Sequence, residues 1–183
     1  VNAQLEQNNF LFVPNFISQE RAKDLNSWML SERDAGRLID DPRSNYGLYG
    51  KAYQDAIPFL ELLCEKRNQV SELVEESVLP TYSFCMIYGP ESQLIKHLDR
   101  PACEISLTVH LGGDAEWPIF IKKSSGEEIP FKLNPGDAVV YLGCIAEHWR
   151  EKFTGQYYSQ VFLHYVRSRG PNAWVYFDKR KNK

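Results

Sequence analysis

From Thr81 to Val166 the chain is cut into eight short apolar or alternating segments. They read "TYSFCMIYG", "SQLIKHLD", "EISLTVHLG", "WPIFIKK", "EEIPFKL", "DAVVYLG", "AEHWREKF" and "QYYSQVFLHYV". Gly, Pro, Asn or Asp falls between most of them, and these residues break strands for steric and hydrogen-bonding reasons. Eight strand-length segments in roughly 85 residues leave little room for anything but a β-sandwich or barrel of jelly-roll type.

The chain before Thr81 has a different period. "FLFVPNF", Phe10 to Phe16, alternates and predicts a short strand ended by Pro14 and Asn15. Ser18 is placed to cap a helix that carries Ala22, Leu25, Trp28 and Met29 at helical spacing. The polar stretch "SERDAGRLIDDPRSNYGLYGK" reads as a long surface loop, of a kind often used as a lid or substrate-binding edge. A second helix is expected from about Ile57 to Val78, stopped by Pro80. The expected organisation is one α+β domain. Residues 1–80 form a helical support packed on one sheet, 81–167 a jelly-roll (double-stranded β-helix) core, and 168–183 a tail.

Composition narrows the function. With 183 residues, 43% hydrophobic, 25% charged and a net charge of −3, this is the balance of an ordinary soluble protein. Neither the net charge nor any basic patch interleaved with aromatics argues for a nucleic-acid partner. No apolar run approaches the roughly 18 residues that span a bilayer, and no signal peptide is expected at the N-terminus, so no membrane partner is anticipated. Cys64, Cys85, Cys103 and Cys144 are widely spaced without a C-x-x-C pair, which favours free thiols and a cytoplasmic setting.

The chemistry-bearing residues are few. His97 and Asp99 close the second segment of the β region, and His148 follows 51 residues later in the seventh, after "LNPGDAVVY". In an eight-stranded jelly roll the second and seventh strands are neighbours, so the three side chains can converge at one mouth. Two imidazoles and one carboxylate on one face of a metal leave three positions open, the arrangement of non-heme Fe(II) sites that bind a cosubstrate and O₂ together. An isolated H-x-D is a weak signal, and strand-end pairs on a surface look the same. His110 and His164 lie within apolar strands, where a hydrogen-bonded core histidine is the default reading.

Tyr82 to Tyr165 resembles the catalytic core of the Fe(II)/2-oxoglutarate-dependent dioxygenases, in their prolyl 4-hydroxylase-like branch. The resemblance is carried by "FCMIYGPESQLIKHLD" and "LNPGDAVVYLGCIAEHWREKFTGQYYSQVFLHY", with "NNFLFVPNFISQERAKDLNSWM" similar to that branch's opening. It implies His97, Asp99 and His148 as iron ligands and Tyr88 as a pocket tyrosine near the cosubstrate. It also implies Fe(II), 2-oxoglutarate and O₂, with ascorbate as an accessory reductant. The implied reaction is hydroxylation of an amino-acid or peptidyl substrate, with proline the leading candidate, coupled to decarboxylation of 2-oxoglutarate to succinate and CO₂. Asp99 favours hydroxylation over halogenation, because related halogenases carry a small residue there.

One departure stands out. The family usually places an Arg or Lys about nine to eleven residues after the distal histidine to hold the 2-oxoglutarate distal carboxylate. Tyr157, Tyr158 and Ser159 occupy that window. A dicarboxylate in a partly dry pocket needs a cation or several donors. Arg150 is the first candidate, since two residues along a strand returns to the face of His148. Lys122, at the end of the fourth segment, and His110 are further candidates, and Tyr157 could add a hydroxyl. Arg100, Glu104 and the Asp40 to Lys51 loop could line the entrance. Two other readings stay open: a non-catalytic jelly-roll binding protein, and a cupin-like metalloenzyme that does not use 2-oxoglutarate.

Overall fold

The computed structural model describes residues 2–40 and 50–179. The alternating segments pair into two antiparallel sheets. The larger has the order β1 (Phe10–Val13), β9 (Ala138–Tyr141), β6 (Ile105–Gly113), β11 (Tyr158–Arg167), β4 (Val78–Tyr88), β3 (Gly50–Gln54) and β2 (Ile39–Asp40). The smaller has the order β5 (Leu94–His97), β10 (His148–Arg150), β7 (Ile119–Lys122) and β8 (Glu128–Phe131). All eight expected strands are present, and β5 lies beside β10 as a jelly roll requires.

Alternation along the large sheet divides its two faces. On β11, Val161, Leu163 and Tyr165 join the core shared with the helices, while Tyr158, Gln160, Phe162 and His164 take the other face, towards the small sheet. The helices cover the first face. Ser18 caps α2 (Gln19–Asp34) by accepting a hydrogen bond from the Arg21 amide, and Ala22, Leu25 and Met29 are buried. Phe59, Leu62 and Leu63 of α3 (Ile57–Glu65), with Val70 and Val74 of α4 (Arg67–Val74), complete this layer. The Tyr165 hydroxyl donates to the Leu63 carbonyl at 2.7 Å, tying β11 to α3.

Several expectations need correction. The second helix is two helices, and it ends at Val74, where Glu75 takes a left-handed φ of 55°. Pro80 stops nothing: it sits inside β4, opposite Tyr165 at a bulge where a missing N–H is tolerated. The stretch read as one loop begins inside α2 and contributes β2 and β3, which pair at the edge of the large sheet. Its central residues, 41–49, lie outside the described residues, so the expectation that Asp40 to Lys51 lines the entrance falls largely there. The strand expected from Phe10 forms as β1 and pairs with β9 along its whole length. A short helix, α1 (Ala3–Asn8), precedes it, capped by the Asn2 side chain. No helix among the described residues is long and apolar enough to cross a membrane.

Leu163 is fully buried between β11 and the helices. Leu163→Ala should lower stability by about 2–5 kcal/mol, read as a drop in the urea midpoint, because the packed layers cannot close on the cavity.

Candidate metal and anion site

The pairing of β5 with β10 sets His148 opposite His97. Their ring centroids are 4.2 Å apart. The chain then leaves β5, and the Asp99 amide donates to the Gly143 carbonyl at 2.8 Å, which returns the carboxylate to the two rings. Asp99 Oδ1 lies 3.6 Å from His97 Nε2 and 3.6 Å from His148 Nε2. His97 Nδ1 is 2.8 Å from the Ile95 carbonyl, and His148 Nδ1 is 2.9 Å from the Ala146 carbonyl. A carbonyl can only accept, so each Nδ1 carries a hydrogen and each Nε2 is the ring atom presented towards Asp99. This donor set fits a divalent transition metal, with both imidazole tautomers fixed in advance.

Burial lowers the basicity of His148, with Asp99 opposing and His97 and Arg150 adding to the effect. The ring is held neutral, as ligation requires. For Asp99 burial acts to raise the carboxyl pKa. The surrounding His97, His148 and His164 rings outweigh it, through attraction of the carboxylate to any of them that gains a proton, and hold the value below the ordinary range.

Further along the same inner face is a guanidinium with no exposure. Arg150 follows His148 by two residues, across a bulge in the β5–β10 register, and its side chain is wholly buried. Its Nη1 donates to the Trp117 carbonyl and its Nη2 to Gln160 Oε1 at 2.7 Å, while Nε has no partner among the described residues. The guanidinium carbon lies 4.8 Å from the Trp117 ring centre and 5.0 Å from that of Tyr158. Among the described residues no carboxylate pairs with it. A buried, unpaired charge costs several kcal/mol. An incoming anion would offset that cost.

Other polar groups close around this cation. Thr108 Oγ1 donates to Gln160 Oε1 at 3.1 Å, and Gln160 Nε2 donates to the Tyr88 hydroxyl at 3.3 Å. His110 stacks on Tyr158 at 4.1 Å, its Nδ1 3.2 Å from the Ser159 carbonyl. Burial, reinforced by Arg150, pushes the His110 imidazole down to about 4, so it stays neutral.

The fold thus brings His97, Asp99 and His148 together and puts Arg150, Tyr88 and His110 on one inner face. It does not bring Lys122 or Tyr157 there. Lys122 ion-pairs with Glu147 at 2.7 Å on the outside. Tyr157 packs against the helix-side core, because a one-residue step on a strand changes face, and Tyr158 takes the inner position instead. Glu104 is engaged by Arg167 away from the site, at 2.7 Å. Arg100 pairs with Asp178 at 2.6 Å over the Tyr82 ring. Gln160, Thr108 and Trp117 were not singled out from the sequence. Gln160 could have been found by stepping two residues from Tyr158.

No family model matches the chain, and no curated protein matches it in sequence. Solved structures match closely in shape. A Pseudomonas putida prolyl-4-hydroxylase has a TM-score of 0.72 at 15% identity, covering 91% of this chain and 96% of its own. The non-heme alpha ketoglutarate dependent epimerase SnoN from nogalamycin biosynthesis has a TM-score of 0.77 at 10% identity, covering 98% and 87%. HygX from Streptomyces hygroscopicus, seen with nickel, 2-oxoglutarate and hygromycin B bound, has a TM-score of 0.69 at 12% identity, covering 92% and 88%. The shared feature is the double-stranded β-helix fold.

His110 gives a pH signature. Its folded pKa of about 4 lies below the ordinary 6.5, so the unfolded chain takes up the proton first as pH falls. This contribution to stability is complete above about pH 6.5 and is lost as pH falls through the folded value. It amounts to something on the order of 3 kcal/mol. Urea unfolding at neutral and acid pH should show a smaller acid loss for His110→Gln than for the wild type.

Proposed function

We propose that the protein is a non-heme Fe(II)- and 2-oxoglutarate-dependent oxygenase that hydroxylates an amino-acid or peptidyl substrate. The observation that carries this reading is the pairing of two unlike sites on one inner face. One is an imidazole pair with a carboxylate, and the other is a fully buried Arg150 lacking an anionic partner among the described residues. A metal site alone would suit many functions. A metal site joined to a dry cation fits a cosubstrate that chelates at one end and carries a free carboxylate at the other.

In this reading His97, Asp99 and His148 hold the iron. Arg150 takes the distal carboxylate, oriented by Gln160 and Trp117, with the Tyr88 and Tyr158 hydroxyls and Thr108 around it. When bound, the iron and cosubstrate supply the oxidising chemistry with O₂, coupled to loss of CO₂ and formation of succinate. The chain contributes geometry. Its backbone carbonyls fix the histidine tautomers, and Trp117, Phe153, Met86 and Tyr158 pack closely around the anion end and keep water out.

The substrate end has a different character. Phe84 and Phe162 stack at 6.4 Å on the same inner face, both half-buried, and Phe162 continues to His164 at 6.2 Å. An aromatic shelf beside the metal suits an apolar ring, which supports a prolyl group as the leading substrate. A free small molecule is the second reading, favoured by the hygromycin B bound to HygX.

Anaerobic addition of Fe(II) and 2-oxoglutarate should give a visible charge-transfer band that His148→Ala abolishes. No band with both present would overturn the proposal, leaving a binding protein or a different metalloenzyme. Arg150→Gln should weaken 2-oxoglutarate binding about tenfold to a hundredfold, the worth of a charge-assisted contact, with metal affinity nearly unchanged. Titration of the band with 2-oxoglutarate checks this.

A further inference from the structure

His164 and Ser106 lie outside the three ligands, yet they connect directly to one of them. Ser106 Oγ is 3.1 Å from Asp99 Oδ2, 3.0 Å from the Cys103 carbonyl and 2.9 Å from His164 Nδ1. Both residues are buried, His164 at 5% exposure and Ser106 at none. The carboxylate and the carbonyl can only accept, while a hydroxyl has one proton to give. If His164 Nδ1 also accepted, three groups would compete for that one proton at a buried site. With His164 Nδ1–H donating to Ser106, only Asp99 Oδ2 and the Cys103 carbonyl share the hydroxyl proton, and the charged carboxylate is the stronger acceptor.

Three neighbours hold this arrangement, and the first is buried Tyr141, whose hydroxyl pairs with Ser106. The Tyr82 ring lies against His164 with centroids 4.4 Å apart, and its hydroxyl is 3.1 Å from Cys103 Sγ. Gly143 stands on the far side, where a Cβ would come within 2.6 Å of Asp99 Oδ2 and 2.9 Å of Ser106 Oγ. Asp99, Cys103 and His164 are close enough to form a second cation cluster of their own. Their donors are already engaged, with Ser106 between Asp99 and His164 and Tyr82 on the thiol. Burial also pushes the Cys103 thiol up to about 12, away from the thiolate a metal would need.

We propose that Ser106 and His164 are positioning residues that tie off Asp99 Oδ2, so that Oδ1 alone faces the metal between His97 and His148. The inference rests on the metal site of the proposed function and deepens it. A carboxylate that offers one oxygen leaves three positions open on a six-coordinate ion. One that swings to offer both takes a position needed by cosubstrate or O₂. Neither Ser106 nor His164 touches the reacting atoms.

The test uses the full chain and Co(II), whose visible spectrum reports coordination number without turnover. Ser106→Ala and His164→Phe should each lower Co(II) affinity about tenfold or more, the usual cost of losing a ligand's supporting hydrogen bond. Both should change the intensity of the visible bands. Ser106→Thr keeps the hydroxyl, and His164→Asn places an amide N–H near the position of Nδ1–H. Both should restore affinity and spectrum, which a simple packing role would not do. Thermal melts identify any variant that does not fold, and the Ser106→Ala and Ser106→Thr pair then decides alone. Wild-type protein that takes up Co(II), with Ser106→Ala matching it in affinity and spectrum, overturns the inference and leaves the metal site standing. Wild-type protein that takes up no Co(II) overturns both.

Discussion

The site depends on one pairing, that of β10 against β5, which sets His148 opposite His97. The two strands are far apart in sequence and meet only because the jelly roll makes them neighbours. Once paired, their spacing fixes the distance between imidazoles, and the backbone carbonyls two residues before each ring fix the tautomers. Asp99 enters from beyond the strand end and is held by Gly143 through the backbone. Main-chain hydrogen bonds therefore orient both rings and place Asp99, and side chains act only on the second carboxylate oxygen.

Electrostatics sets up the rest of the inner face. The small and large sheets enclose a cation that water cannot reach and that Gln160 and aromatic faces only partly satisfy. Such a charge is unfavourable for folding alone and becomes favourable when an anion arrives. Neutral His110 beside it adds no competing charge. The same face thus runs from a dry cationic end, through the candidate metal site, to a half-open aromatic shelf. That gradient is what a two-substrate oxygenase would use.

Much of this was legible in the sequence. The eight strands announced themselves through alternation and turn residues, and His97, Asp99 and His148 through position at strand ends. Arg150 followed from simple parity with His148, even though a bulge interrupts the register between them. Parity misled at Tyr157, because nothing local showed which of two adjacent tyrosines begins the inward face. Lys122 was plausible by position alone, and its ion pair with Glu147 took it out of the site. The helix boundary at Val74 was hidden because Glu75 in a left-handed conformation is not a typical stop signal, whereas Pro80 is.

The sequence by itself determined the eight strands from Thr81 to Val166, the capped helix at Ser18 and the residue types of the candidate metal site. Each rests on local periodicity or on chemistry carried by single side chains. Only the tertiary structure decided which polar residues share an enclosed space. The burial of the Arg150 guanidinium, its link to Gln160 and the His164–Ser106–Asp99 chain all cross between strands. Burial and partnership depend on sheet order and face, and those are fixed by packing the whole molecule, not by any one segment.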